Sequence, residues 1–231
     1  MHDLSGRRAL FVGGSSGIGL ASARLFHSLG ATVILAGRSA ARLEAARQAL
    51  GNTSSVETVV FDFAQTGQVD EALAQLPLGG IDHLVITAAS VTHGPFSEQP
   101  LAELRAMFDS KFWGAYGMVR AALPYLRAGG SIVLFSGVLS RRPGINCAAL
   151  GAACAAVEAL SQREGHPLSS RVARNARAKI PIREGRDTAL HLVEAADCIG
   201  PAPHESSPDS GDTIEQREMR IMPGRDIAES W

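Results

Sequence analysis

The sequence predicts an α/β fold in which helices cover both faces of a doubly wound parallel sheet. Strand-like and helix-like segments alternate through roughly the first two thirds of the chain, the order expected of such a sheet. The strand-like segments are short, continuous apolar runs, as in parallel strands that are buried on both faces. A glycine-rich loop also joins the first apolar run to an amphipathic helix. We therefore expect a single α/β domain in these 231 residues.

The predicted elements follow one another in order along the chain. Apolar runs bounded by turn residues predict strands at residues 9–12, 32–36, 56–61, 83–88 and 131–135. Apolar residues at helical spacing predict helices at residues 19–29, 40–50, 67–76, 101–126 and 147–160. Gly30 directly follows the first helix, where a glycine commonly ends a helix.

The character of the sequence changes near Gln162. Apolar residues fall from roughly half of the chain before this position to roughly a third after it. Residues 188–196 have helical spacing, but no strong strand signal remains. We therefore expect one domain over residues 1–231, with a recognisable core at 5–162 and a divergent tail at 163–231. Divergence under weak constraint and a shifted reading frame both account for such a tail.

The composition argues against several classes of function. A net charge of −1 is untypical of a nucleic-acid binder, which needs a surplus of Lys and Arg. No apolar run reaches the roughly 20 residues of a membrane helix, and the N-terminus lacks the apolar region of a signal peptide. Cys147, Cys154 and Cys198 do not have metal-binding spacing. We expect a soluble, cytoplasmic protein with no metal site.

The glycine-rich loop is the clearest functional motif. It reads Gly13, Gly14, Ser15, Ser16, Gly17, Ile18, Gly19. A glycine motif between a buried strand and a helix predicts a Rossmann-type dinucleotide site; without that setting it is only a glycine-rich turn. We expect Gly13 to permit the tight turn, Gly17 to let a pyrophosphate approach the backbone, and Gly19 to let the helix pack closely. The helix N-terminus and the two serine hydroxyls would face the phosphates.

The end of the second strand bears on the choice of cofactor. An acidic residue here would bind the adenosine ribose hydroxyls and repel a 2′-phosphate. The sequence instead continues with Arg38 and Ser39, and a guanidinium is suited to a phosphate. These residues favour NADP(H) over NAD(H), the alternative being that Arg38 is an ordinary solvated loop residue.

Other residues are predicted to line the same crevice. Asp62 and Phe63 follow the third strand, and Ala88 ends the fourth. The Asp62 carboxylate is placed to accept from the adenine amino group, and the Phe63 ring to lie against adenine. Ala88 is small enough to let the cofactor pass. All three fall at the carboxyl ends of strands, where doubly wound sheets bind their ligands.

With these features the chain resembles the short-chain dehydrogenase/reductase family over residues 5–162. The resemblance is carried by the glycine loop, the Asp62–Phe63 corner, and the segments at residues 84–89, 109–114 and 130–137. It implies hydride transfer between a nicotinamide and a carbonyl or alcohol. It further implies a Tyr as general acid/base, a Lys four residues later, a Ser after the fifth strand, and an Asn in the preceding helix.

The sequence departs from this catalytic pattern. Leu150 stands in place of the Tyr, Cys154 in place of the Lys, and Lys111 in place of the Asn. Ser136 is either the catalytic Ser or its neighbour, since Gly137 aligns somewhat better with that position. Leucine cannot exchange a proton, so the usual proton relay is absent.

Two residues remain as catalytic candidates. Ser136 is a hydrogen-bond donor after the fifth strand. Lys111 lies in the helix that approaches the cofactor, and a desolvated lysine can act as an acid or base. Tyr116 and Arg120 mimic the spacing of the missing pair, but they lie on the earlier helix, and we interpret them as a packing or interface pair.

Three hypotheses about function follow. The chain is an NADP-dependent oxidoreductase with a non-standard site, a cofactor-binding but non-catalytic regulator or partner subunit, or a disabled paralogue. The resemblance also implies a homodimer or homotetramer built from the long helix and the Ala-rich helix that follows the fifth strand. The substrate is not predicted, because the segment that sets it in the family has no readable counterpart here.

Overall fold

The apolar runs form a parallel sheet of five strands within residues 3–76, 80–142 and 144–161, which the computed structural model describes. The strand order is β3-β2-β1-β4-β5. The strands are β1 Arg8–Val12, β2 Thr32–Gly37, β3 Val56–Val60, β4 Ile81–Ile86 and β5 Leu126–Leu134. Every pairing between them is parallel. The order reverses beside β1, so the carboxyl ends of β1 and β4 flank a crevice.

Helices cover both faces of this sheet, as predicted. They are α1 Gly17–Ser28, α2 Ala40–Ala49, α3 Thr66–Ala74, α4 Leu101–Phe108, α5 Ala115–Ala122 and α6 Ala148–Ser161. One apolar core lies between the sheet and α1 and α2, and a second lies between the sheet and α3, α5 and α6. In the first core the rings of Phe11 and Phe26 lie edge to face with their centroids 5.3 Å apart. This contact packs α1 against β1.

The first helix ends as the sequence predicts. Gly30 follows it with φ of +91° and donates its N–H to the carbonyl of His27 at 3.0 Å. A side chain is strained in this left-handed backbone conformation, whereas glycine is not.

The predicted continuous helix at residues 101–126 is wrong in two respects. Asp109–Gly114 between α4 and α5 is a π-helical segment, and the last turn, Leu123–Tyr125, is a 3₁₀ helix. Leu126 already belongs to β5, which starts five residues earlier than expected. The spacing of apolar residues does not reveal a π-helical turn, because one such turn shifts the helical pattern by only one residue.

The early start of β5 depends on a close approach to β4. Gly130 lies against Asp82, where a Cβ would stand 2.7 Å from the Asp82 carbonyl oxygen. The strand register is irregular between Ile81 and His83 at the same place. Glycine is required there because the two backbones leave no room for a side chain.

Candidate functional site

The glycine loop is packed too tightly for any other residue at two positions. Gly13 has φ of +90°, and a Cβ on it would lie 2.7 Å from the amide nitrogen of Ala88 and 2.8 Å from Oγ1 of Thr87. A Cβ on Gly19 would collide with the carbonyl oxygen of Gly13. These contacts hold the start of α1 against the ends of β1 and β4.

The third glycine faces open space. Gly17 has φ of +53°, and no atom lies within 4 Å of the position that a Cβ would take. Ser16 is the N-cap of α1, but its side chain makes no capping hydrogen bond. The first N–H groups of α1 therefore have no side-chain cap, and the positive end of the helix dipole is uncompensated. The half-buried Ser15 and Ile18 flank this opening. An open, uncapped N-terminus of this kind fits a pyrophosphate.

The end of β2 lies beside this loop. A Cβ on Gly37 would stand 3.9 Å from the hydroxyl of Ser15, so the residues that follow β2 are close to the glycine motif. Arg38 is exposed there. Ser39 caps α2, its hydroxyl accepting from the amide of Arg42 at 3.3 Å. Because that hydroxyl accepts, its own proton is free to donate to a phosphate.

Of the remaining crevice residues, Asp62 and Ala88 lie where the sequence predicts them. Oδ1 of Asp62 accepts from the amide of Ala64 at 3.1 Å, which fixes the carboxylate beyond β3. The half-buried Ala88 donates its amide to the carbonyl of Val12 at 3.0 Å. This hydrogen bond joins the residues that follow β4 to the last residue of β1.

Phe63 has a different role from the predicted one. It is only 8% exposed and belongs to the core beneath α5. A Cβ on Gly114 would lie 2.7 Å from its ring. The ring packs against the π-helical segment, where burial removes its apolar surface from water. The expected stacking on adenine is not supported.

The part of α6 that aligns with the family's Tyr and Lys is apolar. Leu150 is half-buried and Cys154 is 2% exposed. The sulfur of Cys154 lies against Gly137, 3.1 Å from where a Cβ on that glycine would stand. Ser136 donates its hydroxyl proton to the main-chain carbonyl of Cys154 at 2.9 Å. That single proton is therefore used within the protein, where the Glu158 carboxylate also lies within hydrogen-bond reach of Ser136.

Lys111 projects from the π-helical segment toward the end of β5. Its ammonium donates to the carbonyl of Phe135 at 3.5 Å, and the residue is half-buried. The segment is anchored by Ser110, whose hydroxyl accepts from the amide of Ser90 at 2.7 Å. Among the residues that the structure describes, no carboxylate forms an ion pair with Lys111. Within the part of the chain that the structure describes, a cation without a carboxylate partner therefore stands at the end of β5.

Sequence reasoning missed a polar cluster behind this site. Glu158 on α6 accepts from the hydroxyl of Ser140 at 2.6 Å and from Nε of Arg141 at 3.2 Å. The Ser140 hydrogen bond is the main cause that lowers the pKa of the Glu158 carboxyl, and burial opposes it. This cluster fixes the turn after β5 onto α6. The residues are 17 and 18 positions apart in sequence, so only the folded chain brings them together.

The other sequence candidates do not form a site. Within the described ranges, no group of His, Cys, Asp and Glu is arranged to hold a metal ion, and no helix is both long and apolar enough to cross a bilayer. His93 is exposed on the loop after β4. Cys198 and the helix predicted at residues 188–196 lie outside the described residues, as does the rest of the tail at 163–231.

The sequence also matches a known family. Residues 7–177 fit the family described as short chain dehydrogenase. The chain belongs to the short-chain dehydrogenase family. This match extends beyond residue 162, past the core at 5–162 that the motifs alone outline.

Relatives from other organisms share part of this sequence. Dehydrogenase/reductase SDR family member 7B of Danio rerio is 31% identical over 147 residues, 59% of this chain and 48% of that protein. An uncharacterized oxidoreductase of Staphylococcus aureus is 34% identical over 126 residues, 54% of each chain. The closed form of serine dehydrogenase complexed with NADP⁺ is 28% identical, with a TM-score of 0.62 over 67% of this chain and 63% of that one. The chain thus spans about half the length of these two curated relatives.

Proposed function

We propose that this short-chain dehydrogenase binds NADP(H) in the crevice between the ends of β1 and β4. The observation that carries the proposal is the open, uncapped N-terminus of α1 beside Gly17. The pyrophosphate would lie there, and Arg38 and Ser39 would hold the 2′-phosphate. Asp62 would accept from the adenine amino group. The similar serine dehydrogenase that binds NADP⁺ supports the same choice.

The proposed reaction is hydride transfer between the nicotinamide and a carbonyl/alcohol pair, with Lys111 in the role of acid and base. NADPH supplies the hydride when it is bound. The Lys111 ammonium would donate a proton to the carbonyl oxygen of the substrate as that oxygen becomes an alkoxide. In the reverse direction the neutral amine would accept the alcohol proton. Within the described residues no carboxylate pairs with the Lys111 ammonium, so its protons are not held by an ion pair and can be given to a substrate oxygen.

One observation favours a second candidate, a cofactor-binding regulator or partner subunit without catalysis. Leu150 has no proton to exchange, the neutral Cys154 thiol cannot supply the positive charge of a lysine, and the Ser136 hydroxyl donates to the main-chain carbonyl of Cys154. A disabled paralogue, the third hypothesis, would also lose affinity for the nucleotide. Whichever of these functions the protein has, we propose that it is cytoplasmic and that it binds no nucleic acid.

We further propose that two copies of this chain associate through a groove between α3 and α5. The groove has a volume of about 790 Å³, and Trp113 and Tyr116 on its wall are 57% and 43% exposed. Gly117 and Ala121 follow these aromatic residues on α5 and line the same groove, and small residues there allow a second helix to approach closely. A homodimer across a two-fold axis would bury this surface, and a homotetramer would need a second interface.

Calorimetry tests the cofactor assignment. We expect the protein to bind NADPH more tightly than NADH, and Arg38→Ala to weaken NADPH binding by about 10-fold or more, the loss of one charge-assisted phosphate contact. NADH affinity should not change. Arg24→Ala removes an exposed arginine from α1 and serves as the matched control. Failure of the folded protein to bind either nucleotide would contradict the assignment.

A turnover assay then separates the two functions. NADPH oxidation is followed against a panel of aldehydes and ketones with the native protein, Lys111→Met and Lys111→Arg. Turnover that Lys111→Met abolishes, with NADPH affinity retained, supports the oxidoreductase. Lys111→Arg should retain little activity, because a guanidinium does not release its proton near neutral pH. Tight NADPH binding without turnover on any substrate supports the non-catalytic candidate.

A further inference from the structure

The π-helical segment Asp109–Gly114 contacts the residues that follow three strands of the sheet. Phe63, after β3, packs so closely that a Cβ on Gly114 would lie 2.7 Å from its ring. Ser90, after β4, and Phe135, after β5, each form a hydrogen bond with the segment. A π-helical turn inside an α-helix is rare, and many such turns lie at functional sites. This one lies along the edge of the sheet at which open parallel sheets bind their ligands.

The hydrogen bond to Ser90 involves a buried hydroxyl. Ser110 is 8% exposed, and its hydroxyl accepts from the amide of Ser90 at 2.7 Å. Water competes little for a bond at so buried a residue, and a buried hydroxyl that lost its partner would be costly. The bond therefore fixes the π-helical segment relative to the residues that follow β4. Ser90 lies two residues beyond Ala88, so this fixed point is also close to the crevice.

The contact of Lys111 with its surroundings is much weaker. Its ammonium lies 3.5 Å from the carbonyl oxygen of Phe135, which is long for a hydrogen bond. The flexible stem of a lysine does not by itself hold the charge in one place, and within the described residues no carboxylate pairs with it. The position of the ammonium therefore depends on the backbone that carries the side chain. Ser110 directly precedes Lys111, so the bond to Ser90 holds that backbone.

We propose that Ser110 is a positioning residue for Lys111. By accepting from the amide of Ser90, its hydroxyl holds the π-helical segment where the Lys111 ammonium reaches the end of β5. This role is exerted through the backbone and needs no contact with substrate or cofactor. The use of the ammonium as an acid rests on the proposed function, whereas its placement by Ser110 does not.

NMR of the protein labelled with ¹³C at the lysine ε-carbon tests the placement. The chain contains two lysines, Lys111 and Lys179, so the Lys111 signal is identified as the one that Lys111→Met removes. We expect Ser110→Ala to displace this signal by more than its line width. Ser110→Thr keeps the hydroxyl and should keep the signal close to its native position. Ser22→Ala removes another buried hydroxyl, 5% exposed on α1, and is the control that should leave the signal in place.

Turnover on the panel of aldehydes and ketones provides a second measurement. We expect Ser110→Ala to lower kcat by about 10- to 100-fold, the effect of displacing a catalytic group by about 1 Å. KM and NADPH affinity should stay within about twofold, because the hydroxyl is assigned no part in binding either molecule. Ser110→Thr should recover most of the lost kcat, and Ser22→Ala should lose none.

The outcomes separate this proposal from the proposed function. If no substrate is turned over but Ser110→Ala alone displaces the Lys111 signal, the placement is supported and only the catalytic use of Lys111 fails. A Lys111 signal that is the same in Ser110→Ala as in the native protein overturns the proposal. Equal displacement by Ser110→Ala and Ser110→Thr also overturns it, since the hydroxyl would then not be the cause. So does a Ser110→Ala protein whose KM rises while its kcat is unchanged.

Discussion

The hydroxyl of Ser136 donates to the main-chain carbonyl of Cys154, 2.9 Å away. This bond joins the end of β5 to the middle of α6, at the positions that the family resemblance assigns to a catalytic Ser and Lys. We expect Ser136→Ala to lower the free energy of unfolding by about 1 kcal/mol, the net value of one hydrogen bond. Urea denaturation measures this change. NADPH affinity and any turnover should be unaltered, and a large loss of turnover at unchanged stability would return Ser136 to a catalytic role.

The glycine loop allows stability and nucleotide binding to be tested separately. Gly19→Ala places a methyl group on the carbonyl oxygen of Gly13, so we expect a loss of about 1–3 kcal/mol in the free energy of unfolding, the usual cost of overpacking. Gly17→Ala meets no neighbouring atom and should cost only about 1–2 kcal/mol for its left-handed backbone. Its methyl group would stand where the pyrophosphate is proposed.

We therefore expect Gly17→Ala to weaken NADPH binding strongly while the protein stays folded. Thermal denaturation and calorimetry on both variants provide the measurements. If Gly17→Ala binds NADPH as tightly as the native protein does, the pyrophosphate does not lie at this turn.

His83 should make the stability of the protein depend on pH. It is 7% exposed on β4, and its Nδ1 pairs with the hydroxyl of Ser131 on β5 at 2.9 Å. Within the described residues, Nε2 has no hydrogen-bond partner, and the ring lies edge to face with Phe26. Burial lowers the pKa of His83 from 6.5 to about 4; the nearby Asp82 carboxylate opposes this, and the Arg7 charge adds to it.

The direction of the pH effect follows from that pKa. Between pH 6.5 and about 4 the unfolded chain binds a proton at this histidine and the folded chain does not. Stability should therefore be fully present above pH 6.5 and fall as the pH drops through this window, by on the order of 3 kcal/mol in all. Urea denaturation at a series of pH values measures it.

A pair of variants assigns the pH effect to His83. His83→Leu should remove this part of the pH dependence, even if it changes stability at neutral pH by leaving Ser131 without its partner. His93→Asn, at an exposed position, is the control and should leave the dependence intact. An unchanged slope in His83→Leu would show that another group is responsible.

Asp82 lies at the opposite end of the sheet from the crevice, and we expect it to be important for the stability of the protein. It is 2% exposed, and its carboxylate accepts from Arg7 at 2.9 Å, from Arg127 at 3.4 Å and from the amide of Arg8 at 2.9 Å. Burial alone would raise the pKa of this carboxyl, but these hydrogen bonds and charges outweigh it and lower the pKa. Asp82→Ala should cost about 1–3 kcal/mol, the value for hydrogen bonds to a charged group, because Arg7 and Arg127 are themselves about half exposed and regain water.

Chemical denaturation tests this value, with Glu57→Ala as the control. Glu57 forms an ion pair with Arg8 at 2.9 Å, but its side chain is 37% exposed, so its loss should cost less than about 1 kcal/mol. Equal effects of the two substitutions would contradict the difference in burial on which the prediction depends.

The proposed dimer is tested by sedimentation equilibrium. Trp113→Ala/Tyr116→Ala removes aromatic surface from the groove between α3 and α5, and should shift the protein toward the monomer. Phe96→Ser, at an exposed position on another surface, should not. A native protein that remains monomeric at high concentration would show that the groove does not bind a second copy.

The sequence by itself determined the alternation of strands and helices and the placement of the glycine loop between β1 and α1. These features depend on residues that are close in sequence, because an apolar run, a helical spacing or a glycine at a turn determines the conformation of only a few neighbouring residues. The tight packing at Gly13 and the end of α1 at Gly30 were predictable for the same reason. The position of Arg38 after β2 was predictable too, because it is adjacent to a strand in sequence.

The tertiary structure decided which side chains face the crevice. Phe63 follows β3 as predicted, yet its ring turns into the core against Gly114, and Ser136 gives its proton to Cys154. The Glu158 cluster and the His83–Ser131 pair also join residues far apart in the chain. Such contacts depend on how elements pack against one another, and a linear pattern of residue types does not record that packing.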